Sequence, residues 1–102
     1  MAIPTPKVFF NFDESSGDAA DAVNSLSGVN TSATFSTGKI NNAAYFGGSA
    51  FFTVADNALL EPVNAISFGG WTYISSTSSF QMMMAKGENA GDTRSYEMRC
   101  YS

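Results

Sequence analysis

Apolar and polar residues alternate with a period of two through most of this chain, the pattern of strands with one buried face. In "PKVFFNFD", Val8, Phe10 and Phe12 share one face, while Lys7, Phe9 and Asn11 take the other. Pro4 and Pro6 come first, where a strand needs no ladder donor, so the pattern predicts a strand over residues 7–13. "VNTSATFS" predicts a second strand and "NAAYFGG" a third. "AFFTVAD" predicts a fourth, with Phe52 and Val54 on one face and Phe51 and Thr53 on the other. Gly47, Gly48 and Ser49 lie between the last two and read as the turn of a hairpin. The longest strand signal is "AISFGGWTYIS", residues 65–75, whose Gly69–Gly70 doublet marks a bulge or the close approach of another backbone. "FQMMMAKG" and "SYEMRCYS" complete the series. In the last, Tyr96, Met98 and Cys100 point one way and Ser95, Glu97 and Arg99 the other. That strand needs a neighbour, and the pattern alone does not name it.

The segments between are rich in turn formers. "ESSGDAADAVNSLSG" places Ala19, Ala22, Val23 and Leu26 at helical spacing. Asp, Ser, Asn and Gly fill the remaining positions, and those residues bond their own backbone in turns, so a long loop with at most one helical turn is expected. "TGKIN" reads as a Gly-marked turn. In "NALLEPVN", Pro62 limits any helix to a single turn. "STSS" reads as a turn and "ENAGDTR" as a polar loop. Short strands with turn chemistry between them predict an all-β, antiparallel fold.

Composition agrees with one packed domain. The chain has 102 residues, 44% of them hydrophobic and 14% aromatic, which excludes a disordered segment. Only 14% are charged, about half the usual share, and Ser, Thr, Asn and Gly replace the charges. This balance is associated with extracellular and virion β-sandwiches. The net charge is −4, and the five basic residues stand singly, so a nucleic-acid partner is excluded. No apolar run approaches the length of a membrane span. "MAIPTPKVFF" lacks the basic and apolar regions of a secretory signal. Cys100 has no second cysteine to pair with, and the chain contains no histidine, the commonest general base and metal ligand.

The order of several short motifs resembles the laminin-G-like, concanavalin A-like lectin superfamily. Phe12-Asp13-Glu14, Thr37-Gly38-Lys39, Thr53-Val54-Ala55-Asp56, Trp71 and Lys86-Gly87 follow one another as the corresponding pieces of that family do. The resemblance implies a jelly-roll sandwich of two antiparallel sheets, of which this chain covers the first half. It also implies that the strand beyond "SYEMRCYS" belongs to a second half, so that the 102 residues are one incomplete domain needing an oligomer or a larger assembly.

Some members of the superfamily are glycosidases, which require two carboxylates flanking the scissile bond. No strand here carries two acids on one face, so Glu14, Glu61, Glu88 and Glu97 read as solvated surface acids and no enzyme is expected. Calcium takes six to eight oxygens, and the first loop offers Asp13, Asp18, Asp21 and Asn24. The competing reading, that these residues cap backbone amides in turns, weighs more. Gly47 after Phe46 removes one acid that the family carries. A glycan platform would use Trp71, Tyr73 and Tyr96, with Phe9 or Phe51 as further candidates. Against this, a Trp in a sandwich is usually core, and core is the expectation for Trp71. The Met82–Met84 run suggests soft-metal ligation, but adaptable core packing explains it better.

These readings lead to a non-catalytic binding or adhesion module, with glycans the ligand class that the resemblance favours. The rival is a structural virion surface component, a phage decoration or fibre protein, whose partners are other protein chains.

Overall fold

The computed structural model describes residues 5–76, 81–88 and 93–100. The chain divides into two compact units, one ending at Ile66 and the other beginning at Ser67. Both are built of antiparallel β-structure, and the helical content of the described residues is a single 3₁₀ turn.

The first unit is organised by a long hairpin broken at a corner. Strands β3 (Thr34–Thr37) and β4 (Asn42–Tyr45) form its inner end, in register from Thr37↔Asn42 to Thr34↔Tyr45. Their turn is closed by the Gly38 amide donating to Asn41 O at 2.8 Å. Asn41 sits at φ 53°, a left-handed conformation that Asn tolerates better than most residues. Gly38 is required by space. A Cβ there would lie 2.9 Å from both the Ala43 Cβ and the Asn42 carbonyl oxygen.

The outer end pairs β2 (Ser27–Thr31) with β5 (Phe51–Val54), from Thr31↔Phe51 to Gly28↔Val54. Three residues lead from Thr34 back to Thr31, but six lead from Tyr45 on to Phe51, so the ladder resumes with a shift of three. Ser32, at φ 64°, bends one side of the corner, and Gly48, at φ 57°, turns the other. The Asn30 side chain holds this corner: its Oδ1 accepts from the Ala33 amide at 2.8 Å and its Nδ2 donates to Ala33 O at 2.9 Å.

Two expectations change here. "VNTSATFS" is split by the Ser32 bend into β2 and β3. Gly47–Gly48–Ser49 does not close a hairpin, because β4 pairs back with β3 and β5 with β2. The Thr-Gly-Lys turn joins the neighbours, and the glycines carry the chain from one sheet to the next.

A short β1 (Ala19–Ala20) lies beside β2, giving the order β1-β2-β5. The residues 7–13 do not form the expected strand. They contribute one antiparallel bridge, Phe10↔Asp21, and the Phe9 carbonyl accepts from the Ala22 amide at 2.8 Å. Phe12 is at φ 57°, outside the extended region, so no ladder can run through it. The displaced ring still packs. Phe52 lies 5.4 Å from Phe12, 6.0 Å from Phe35 and 5.6 Å from Phe46, centroid to centroid, and Phe10 stacks on Phe12 at 6.1 Å. This cluster is half open: among the described residues the buried hydrophobic positions are Ala19 and Ala33. After β5, the 3₁₀ turn Ala58–Leu60 starts where Asn57 Oδ1 accepts from the Leu59 amide at 2.9 Å, the N-cap chemistry of an Asx residue. As expected it stays a single turn.

In the second unit β6 (Gln81–Glu88) and β7 (Thr93–Cys100) form an antiparallel hairpin. The neighbour of "SYEMRCYS" is therefore the methionine-bearing strand on one side. Among the described residues, no strand lies on the other. The register slips twice, at Met83 on β6 and again between Lys86 and Gly87, where Ser95 is the extra residue on β7. The loop between these strands and most of "STSS" lie outside the described residues.

The longest strand signal, residues 65–75, enters no ladder. Gly69 and Gly70 leave only open space where their Cβ atoms would be, so the doublet marks no close approach of another backbone. Two adjacent glycines carry a large entropy cost of ordering, and here no ladder offsets it.

Candidate functional site

The acidic loop was the first candidate, and the structure shows how each of its residues is used. Asp21 is buried, and both carboxylate oxygens accept from the backbone. Oδ1 takes the Phe9 amide at 2.8 Å and the Val23 amide at 2.9 Å. Oδ2 takes the Asn24 amide at 3.0 Å and the Leu26 amide at 3.4 Å. Burial pushes the Asp21 pKa up, but the four amides outweigh it and hold the group below its ordinary value. Asp21 is thus the knot that ties the first segment to the loop.

The other three are dispersed around it. Asp18 Oδ1 accepts from the Asn30 amide at 2.8 Å, linking the loop to β2. Asn24 Nδ2 donates to Lys7 O at 2.7 Å. Asp13 Oδ2 accepts from Asn41 Nδ2 at 3.3 Å, at the far turn of the β3–β4 hairpin. Among the described residues no three His, Cys, Asp or Glu side chains converge as a metal would need.

Glu14 departs from the surface role expected of it. It is half-buried, its Oε1 accepts from the Ala20 amide at 2.9 Å, and its Oε2 is buried with no hydrogen-bond partner among the described residues. Beside it, Asn42 Nδ2 donates to both Asp13 O and Glu14 O, at 3.2 and 3.1 Å. Sequence reasoning passed over Glu14 because only its lack of a second acid was weighed. It also missed Asn30, whose Nδ2 reaches Gly17 O at 2.8 Å as well as the corner. Nothing but a general taste of Asn for turns signals such a clamp.

The aromatic candidates separate into two kinds. Trp71 and Tyr73 are almost wholly exposed, at 104% and 94%, so the expected core role of Trp71 is not what the structure shows. The segment that carries it makes no ladder, and without a sheet on each side no core forms around the indole. Tyr96 is half-buried on β7, its ring 5.3 Å from Phe68. Tyr96 therefore packs, while Trp71 and Tyr73 face solvent two positions apart. Phe9 and Phe51 are each about half exposed in the first unit, at 51% and 50%.

No helix of the described residues is long and apolar enough to cross a membrane. Comparison with protein-family models, with curated proteins and with solved structures finds no match to this chain.

Proposed function

We propose that this chain belongs to a laminin-G-like jelly roll and works as a non-catalytic module that binds glycans. The observation that carries the reading is the exposure of Trp71 and Tyr73, two positions apart on one segment. An aromatic ring left in water offers a flat apolar face with a polar edge, suited to the C–H face of a sugar bordered by hydroxyls. Neighbouring Thr72 and Ser75 supply the small polar groups such a platform uses.

Calcium stays outside this reading: among the described residues no three acidic side chains converge, and the one unpartnered oxygen, Glu14 Oε2, is a single donor where the ion takes six to eight. Asp21 fits a ligand's role poorly, since its oxygens already accept four amides.

Trp71 is the sole tryptophan beside four tyrosines, so fluorescence excited at the red edge, where tyrosine does not absorb, reports on this residue alone. A glycan array followed by fluorescence titration of each hit tests the reading. Binding should quench or shift the emission, and Trp71→Ala should remove it. An array with no hits, or binding that Trp71→Ala leaves intact, overturns the assignment.

A second reading, assembly into a virion surface, is favoured by a different observation. Tyr45, Phe46 and Phe51 of the first unit are exposed at 61%, 52% and 50%, large apolar side chains of the kind that protein partners cover.

A further inference from the structure

We propose that the bulge in the β6–β7 hairpin is a soft-metal site, where Met83, Met84, Met98 and Cys100 bind one monovalent copper ion. The register carries the argument. Met82 pairs with Arg99 and Met84 with Met98, which leaves Met83 as the inserted residue. Met83 and Met84 together therefore oppose the single position Met98, and a bulge of this kind re-aims the side chains at its centre. Directly opposed residues stand about 5 Å apart at Cβ, within reach of two thioethers sharing one ion. Cys100 lies two residues beyond Met98, on the same face of β7. The Met83 sulfur also receives the Thr72 hydroxyl at 3.9 Å.

Core packing was the expected use of the Met82–Met84 run, and the structure leaves none of the three fully buried. Met82 and Met84 are exposed at 40% and 36%, and the buried hydrophobic residues among those described, Ala19 and Ala33, both lie in the other unit. Met83, Met98 and Cys100 are half-buried, sheltered yet open to an ion. Thioether and thiol sulfurs are soft donors, and that ligand set selects Cu(I) over calcium or magnesium. On binding, the Cys100 thiol gives its proton to solvent and its sulfur pair to the metal. No electron is transferred.

The test is an anaerobic titration of the full chain with Cu(I) in competition with bicinchoninate, repeated with redox-inert Ag(I). One ion per chain is expected. Met84→Leu, Met98→Leu and Cys100→Ser should each weaken binding on the order of tenfold or more. Met82→Leu, which alters the residue paired with Arg99, should not. Met→Leu conserves volume, and far-UV circular dichroism verifies that the hairpin persists. If the chelator keeps all the copper, the site does not exist. If Cys100→Ser alone abolishes binding while both leucine variants bind as the wild type does, the metal is held by an adventitious thiol and the proposal fails. Equal weakening by Met82→Leu overturns it as well.

Discussion

The Phe9 amide donates to Asp21 Oδ1 at 2.8 Å, and the Ala22 amide returns a bond to Phe9 O at the same distance. A side chain thus does for the first segment what a ladder was expected to do. The sequence pattern predicts a strand at residues 7–13; Asp21 instead gathers that segment and the loop that leads into β2 around one carboxylate.

This arrangement makes stability depend on acid in a defined direction. The Asp21 pKa is lowered on folding, so the unfolded chain takes up the proton first as pH falls. The stabilisation is complete above the ordinary carboxylate value of 3.8 and is lost as pH drops through the lower, folded-state value. Asp21→Asn should melt earlier than the parent at neutral pH. The gap should narrow below the ordinary value. Thermal melts of both proteins from pH 7 downward check this, and a gap independent of pH contradicts it.

What the sequence made legible and what it hid divide along one physical line. Turn chemistry is local, so Gly38 and Pro62 marked their turns correctly. Alternation is also local: β5 and β6 start within a residue of where it placed them, while β7 starts at Thr93, two residues before the alternating stretch, and residues 101 and 102 of that stretch lie outside the described residues. Pairing is not local. Gly47 and Gly48 looked like a hairpin turn because nothing nearby reveals that β4 returns to β3. Residues 65–75 have the pattern of a strand, yet a pattern cannot supply a partner. The acids of the first loop were recognisable as caps, but which amide each would bind depended on where β2 came to lie.

Gly38 gives the sharpest steric prediction. A methyl group there meets the Asn42 backbone and the Ala43 Cβ at 2.9 Å, and backbone cannot rotate away. Gly38→Ala should cost about 1–3 kcal/mol, as overpacking does. Denaturant titration measures it, and a neutral result means that the β3–β4 turn is looser than described.

Phe52 stands at the centre of the aromatic cluster, with Phe12, Phe35 and Phe46 around it. Phe52→Ala should cost about 3 kcal/mol, the low end for a core phenylalanine because the site is only half-buried. Phe51→Ala, on the opposite face of β5 and 50% exposed, should cost clearly less. Equal losses at the two positions contradict the facing assigned to β5.

For Trp71 the expectation is separation of fold from binding. At 104% exposure it contributes little to packing, so Trp71→Ala should shift stability within about 0.5 kcal/mol. The parent's emission should be that of a hydrated indole, open to quenching by iodide. A blue-shifted, protected emission, or a variant that fails to fold, means that Trp71 is packed inside the protein and cannot serve as a sugar platform.

The last prediction concerns association. Phe9, Phe46 and Phe51 are exposed at 51%, 52% and 50%, in a unit whose buried hydrophobic residues, among those described, are Ala19 and Ala33. Burying such side chains gains roughly 25 cal/mol per Å² removed from water, a gain open to any surface that fits. Contiguous apolar patches seldom stay uncovered on a soluble monomer, and a sheet edge beside them adds unpaired donors and acceptors. The chain should therefore sediment at micromolar concentration as a species larger than 10.8 kDa. Phe46→Ser, outside every ladder, should move it toward the monomer without altering the strands, as far-UV circular dichroism can verify. A monomer that melts cooperatively at the same concentration means that these phenylalanines are covered within one chain, and assembly then loses its main support.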